Sequence, residues 1–172
     1  MIVLICSWMS GVKLALKERF LFKHLDPLKQ RWSEVSRYNA SIADRLPLGA
    51  KGLAFAEWRY DASDPRCPHD SWIQSMEIRP GESKAEVRGF SLCLLGAYHD
   101  RMIRFDYANV TELSIEGQIV QPSGRRMDWL YDEIHLLDSG LVEHLIEFEG
   151  CMICVACSDF SFSQSLFDGQ PT

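Results

Sequence analysis

An α+β fold is predicted for this chain: two N-terminal helices packed with a mostly antiparallel β-sheet that curls into a half-barrel or a sandwich and ends in a three-stranded meander. Three observations carry that expectation. Apolar residues recur every three or four positions up to residue 47, the apolar period drops to two after residue 70, and the stretch between (61–70, DASDPRCPHD) has the composition of a loop. With 172 residues, 47% of them hydrophobic, the chain fits one domain (1–172), helical over 1–47 and antiparallel β over 71–163.

Residues 1–9 (MIVLICSWM) are apolar but lack both the leading basic residue and the small-residue cleavage site of a signal peptide. They are read as a short core strand or as an extension ahead of an alternative start at Met9. Val12 to Leu25 carries apolar residues at 12, 16 and 20 and at 14, 21 and 25, which predicts a first helix. Asp26 is a cap and Pro27 suits a first helical position, so a second helix follows through Leu28, Trp32, Val35, Ile42 and Leu46 until Pro47 stops it. Leu48 to Gly52 reads as a flexible connection, and Leu53 to Tyr60 fits either helix or strand.

The β part begins with a strand over Trp72–Arg79, ended by Pro80-Gly81. A longer one follows over Ala85–Tyr98, with bends at Gly89 and Gly96. Two more are predicted at Arg101–Tyr107 and Val110–Glu116, before a polar loop over 117–126. The meander can be placed in register, because Asp138-Ser139-Gly140 fits a three-residue hairpin loop and Glu149-Gly150 a two-residue turn. One face then carries Leu136/Val142/Cys157, Ile134/His144/Val155, Asp132/Ile146/Ile153 and Leu130/Phe148/Cys151 in successive rows. The other carries His135/Glu143/Ala156, Glu133/Leu145/Cys154 and Tyr131/Glu147/Met152.

Charge is distributed unevenly. Residues 127–172 contain nine carboxylates and no lysine or arginine, leaving 15 acidic and 18 basic side chains in the first 126. The net charge of −6 disfavours nucleic acid as a partner, and no apolar run is long enough to span a membrane. On the predicted outer face of the meander, Glu133, Glu143 and Glu147 share one patch with Tyr131 and His135. Such a patch is either relieved by internal cations, for example Arg101, Arg104, Arg125 or Arg126, or serves as a docking surface for a basic protein partner. Homo-oligomerisation through an exposed edge strand is a further expectation.

Catalytic signals are sparse. Asp132 and His144 sit diagonally on the apolar face, a spacing that suits a general base in a curled-sheet pocket or two buried groups satisfying each other. Cys151, Cys154 and Cys157 are similar to part of an iron–sulphur ligand run, but alternation turns Cys154 away from the other two. Cys67 and His69, with His99, are too few ligands for zinc. No metal or cofactor is expected, and the unpaired cysteine pattern suits a reducing cytoplasm. In layout alone, helices followed by an acidic meander, the chain is similar in style to small acidic bacterial immunity proteins that inhibit basic toxins. No motif specific to them is present. The leading expectation is a non-catalytic binding protein that engages a basic partner through the acidic sheet face, and the alternative is a small-molecule-binding protein or enzyme with a pocket on the Asp132/His144 face.

Overall fold

Alternating polar and apolar side chains fold the β part into two packed four-stranded antiparallel sheets, the sandwich among the arrangements the sequence left open. The computed structural model describes residues 15–25, 28–83, 86–119 and 123–167. The first sheet has the order β1-β2-β3-β8, from β1 (Trp72–Pro80), β2 (Val87–Leu95), β3 (Arg101–Ala108) and β8 (Asp159–Leu166). The second has the order β4-β7-β6-β5, from β4 (Glu112–Gly117), β5 (Trp129–Leu136), β6 (Val142–Phe148) and β7 (Cys151–Cys157). The final strand, β8, has no counterpart among the predicted strands. Two sheets form because β4 pairs with β7 and not with its chain neighbour β3, while β8 returns to β3.

The core lies between the sheets. Phe90, Leu92 and Leu94 of β2, Ile103, Phe105 and Tyr107 of β3, and Phe160 of β8 face Ile134, Val142, Ile146, Phe148, Ile153 and Val155 of the second sheet. Each such side chain contributes on the order of 1.5–3 kcal/mol by leaving water. The predicted meander register holds at Leu136↔Val142↔Cys157, Ile134↔His144↔Val155 and Asp132↔Ile146↔Ile153. Gly140 takes the positive φ that its hairpin loop needs.

The last row differs from expectation. A bulge between Trp129 and Tyr131 puts Trp129, not Leu130, opposite Phe148. Trp129 then stacks on Phe105 in the core and Leu130 is turned out to solvent. The bulge exchanges a leucine for an indole with far more apolar area to bury.

The helical part is α1 (Leu16–Arg19), α2 (Leu28–Ile42) and α3 (Leu48–Ala54), with a 3₁₀ turn at Glu57–Tyr60. The predicted second helix is thus present from Leu28, while its cap at Asp26-Pro27 lies outside the described residues. The predicted first helix is shortened to α1 among the described residues. Of Val12–Leu25, the described part (15–25) makes one turn, leaves the helix at Phe20 and continues as irregular chain. The predicted flexible connection at Leu48–Gly52 is instead helical. Asp159 caps it, accepting from the Gly49 and Ala50 N–H groups at 3.2 and 3.0 Å.

Helix α3 lies so close to β8 that a Cβ at Gly49 would fall 1.8 Å from the Phe160 carbonyl oxygen, whereas a Cβ at Gly52 meets nothing within 4 Å. The two helical glycines therefore respond in opposite directions. Gly49→Ala is expected to destabilise the chain by at least about 2 kcal/mol in urea titrations. Gly52→Ala is expected to stabilise it by about 0.5–1 kcal/mol, through the helix preference of alanine.

Candidate functional site

The outer face of the second sheet gathers the carboxylates. Its rows run across all four strands as Glu112–Ala156–Glu143–His135, Ser114–Cys154–Leu145–Glu133 and Glu116–Met152–Glu147–Tyr131. Glu133, Glu143, Glu147, Tyr131 and His135 are thus brought together as the register predicted. Glu112 and Glu116 enlarge the patch, and their signal was the alternation in ELSIEG (112–117), which puts Glu, Ser and Glu on one face.

This face is not open to solvent. Residues 15–25, a strap ahead of α2, lie across it and leave Glu133 1%, Glu143 4% and His135 6% exposed. Leu16 and Phe20 pack beside Tyr131, Leu145 and Cys154 in a second, smaller apolar cluster, with Trp32 and Met152 at its margin. The strap also supplies the cations. The Arg19 guanidinium spans the row over Ala156, donating to Glu112 at 2.9 Å and to Glu143 on the other side. Lys23 pairs with Glu147 at 2.5 Å.

The sequence pointed instead to Arg101, Arg104, Arg125 and Arg126 as relieving charges. Arg101 pairs with Asp100 and Arg104 with Asp106 on the first sheet, and Arg126 lies over Trp72. Arg125 pairs with two carboxylates of residues 127–172, Asp128 and Glu149, and neither belongs to the Glu133–Glu143–Glu147 patch.

Glu133 explains why the strap is not a helix. Its buried carboxylate accepts from three successive backbone N–H groups, Leu21 at 2.7 Å, Phe22 at 2.9 Å and Lys23 at 3.1 Å, and from His135 at 2.8 Å. A continuous helix would spend those three donors on its own ladder, and a one-turn helix has little cooperativity to lose. Buried anions need such donors, and consecutive amides turned one way make an anion-binding nest.

His135 sits between Glu133 and Glu143, with its second nitrogen 3.2 Å from Glu143 and the Tyr38 ring edge-on at 5.9 Å. Burial alone would lower the imidazole pKa, but the hydrogen bonds to Glu133 and Glu143 outweigh it and raise it above 6.5. For Glu133 and Glu143 burial acts upward, and His135 with the strap donors brings both carboxyls below 4.5.

The other face of the same strands carries a second polar cluster, between the sheets. Asp132 and His144 meet there at 2.9 Å, and both are fully buried. Arg59, from the 3₁₀ turn, donates to Asp132 through Nε at 3.0 Å and through Nη2, and Tyr107 completes the line at His144 Nδ1, 2.9 Å away. Burial would raise Asp132 but Arg59 and His144 bring it down, whereas for His144 burial prevails and its pKa falls. A charged Asp132–Arg59 pair beside a neutral imidazole follows: Nε2–H donates to the carboxylate and Nδ1 accepts a hydrogen bond from the Tyr107 hydroxyl. Phe105, Trp129 and Phe160 pack around this cluster, and none of its four residues lines the groove at Gly81, Arg88 and Thr111 or the one at Leu48, Leu53 and Phe162.

The remaining candidates are apart from one another. Cys151 and Cys157 face the main core and Cys154 the smaller cluster, so no common ligand site forms. Cys67 is buried with its thiol 3.2 Å from the Arg59 carbonyl, His69 is exposed and pairs with Asp70, and His99 packs on Trp72. Among the described residues no group of three or more His, Cys, Asp or Glu could hold a metal ion, and no helix is long and apolar enough to cross a membrane. No protein-family model matches the chain, and no curated protein does.

The pH dependence of the acidic face has a definite sign. His135 has a raised folded pKa, so its contribution is complete below about 6.5 and is lost as pH rises through the folded value. Glu133 and Glu143 have lowered folded values, so theirs is complete above about 4.5 and is lost as pH falls. The stability difference between the wild type and His135→Gln is expected to be greatest between about pH 4.5 and 6.5 and to shrink on either side. Denaturant titrations across that range check it.

Proposed function

We propose that this chain is a non-catalytic binding protein that engages a basic protein partner through the acidic face of its second sheet, with its own strap occupying that face in the free chain. One observation carries the reading. The face is fitted to a segment that combines cations with bulky apolar side chains: carboxylates at Glu112, Glu143 and Glu147 take Arg19 and Lys23, the cluster at Tyr131, Leu145 and Cys154 takes Leu16 and Phe20, and Glu133 takes backbone amides. Charge complementarity of this kind speeds encounter and selects partners. A partner segment with the same pattern must displace the strap, so its apparent affinity is its intrinsic affinity reduced by the fraction of chains in which the strap is open.

A catalytic reading has less support. The acid–base pair Asp132/His144 is buried between the sheets and already satisfied by Arg59 and Tyr107.

The test uses the full chain, wild type and Phe20→Asp, with a labelled peptide of residues 15–25 as the basic segment. Phe20→Asp places a carboxylate in the acidic apolar cluster and loosens the strap while leaving the sheet face intact. Fluorescence anisotropy is expected to show negligible binding to the wild type. Binding to the variant should weaken by about tenfold or more between low and physiological salt, as the attraction between the free cationic peptide and the opened acidic face is screened. A variant that keeps wild-type circular dichroism yet binds no peptide at low salt contradicts the proposal.

A further inference from the structure

We propose that two copies of this chain pair in antiparallel fashion along the free edge of β8, about a twofold axis at Gln164. The proposal is independent of the acidic-face reading. It starts from the hydrogen-bonding direction of β8, which pairs with β3 on one side only. The Phe160 N–H turns to the Asp159 carboxylate, and the Phe167 N–H bonds to the Asp100 carbonyl beyond the end of β3. Along an antiparallel strand the direction alternates, so the odd-numbered residues bond to β3. Phe162, Gln164 and Leu166 therefore aim their N–H and C=O groups away from it. Helix α3 meets this edge at Phe160, where Gly49 lies against the carbonyl, and flanks Ser161 and Phe162 across a groove.

The edge lacks the features that discourage pairing. From Phe160 to Phe167 (FSFSQSLF) there is no charge and no proline. The other edges are each blunted. β1 carries Glu77, Arg79 and Pro80, and β4 carries Glu112 and Glu116. β5 is covered, with Tyr60 donating to the Asp132 carbonyl and the Leu136 N–H donating to Tyr38.

The same strand also carries two complementary parts. Leu166 is 74% exposed at its end. A groove of about 280 Å³ runs between β8 and α3, lined by Leu48, Gly49, Gly52, Trp58 and Phe162 among others, and Leu48 at its rim is 88% exposed. Directly opposed residues in an antiparallel pair share a face, so an even-numbered residue must oppose an even-numbered one. With Gln164 opposite the partner's Gln164, Leu166 comes opposite the partner's Phe162 and enters its groove, and the reverse contact follows by symmetry. Reciprocal backbone bonds then form at Gln164 and at each Phe162–Leu166 pair. A shift toward the strand start would press the partner onto α3 at Phe160. A self-complementary patch of this kind closes as a dimer. One strand and one groove make a small interface, so the dimer is expected to dissociate on dilution.

Sedimentation equilibrium from micromolar to millimolar chain tests this, on the wild type, Leu166→Asp, Gln164→Lys and, as a control on the β1 edge, Ile78→Lys. The wild type and Ile78→Lys are expected to approach twice the chain mass as concentration rises. Leu166→Asp should raise the dissociation constant by at least about tenfold, since it puts a charge where the pair excludes water. Gln164→Lys should do the same by setting two cations on the twofold axis, with loss of the Gln164 bonds to the Arg66 carbonyl and Arg101. Matching circular dichroism of all four proteins excludes misfolding. The proposal is overturned if the wild type stays monomeric throughout, or if its dimer survives both β8 variants or is lost in Ile78→Lys.

Discussion

Three carboxylates on β5 and β6 are buried, and a buried carboxylate stays charged only if it is given cations or several hydrogen-bond donors. That requirement organises the molecule on both sides of the second sheet. Between the sheets it brings Arg59 out of the 3₁₀ turn and onto Asp132. On the outer side it brings the strap down onto Glu133 and Glu143. Removing one partner of such a pair typically costs 3–5 kcal/mol, because the other charge is left stranded. The irregular path of residues 20–25, the position of α2 beyond it and the burial of His135 all follow from that need.

The two clusters differ in their permanence. The inner one is closed by Phe105, Trp129 and Phe160, and opening it means parting the sheets. The outer one is closed by a short segment whose helical content is one turn and whose apolar anchors among the described residues are Leu16 and Phe20. Segments with few buried contacts open at lower free energy than the strands beneath them. A face that binds its own strap through cations, amides and two apolar side chains has the chemistry to bind another segment of that kind.

Much of this was legible in the sequence. The α+β class, the loop at 61–70 and the meander register follow from local periodicity and turn residues, which depend only on neighbours along the chain. The bulge at Leu130 was not legible, because it is decided by what Trp129 meets across the core. The strap was misread for a similar reason. Its Leu, Lys, Glu and Arg favour helix locally, and the competing demand, Glu133 needing amide donors, comes from a residue more than a hundred positions away. The sequence also placed Asp132 and His144 correctly on the inner face but gave no sign of Arg59 or Tyr107, since ion-pair partners that distant in the chain leave no pattern at fixed spacing.

If Glu133 holds the strap to the acidic face, the strap opens as a unit of its own. Native-state hydrogen exchange of the Leu21, Phe22 and Lys23 amides tests it most directly. All three are expected to be protected, to open together at a free energy well below that of β6 amides such as Ile146, and to lose protection in Glu133→Gln while β6 keeps its own. Amides that exchange freely in the wild type, or only with global unfolding, would contradict the account.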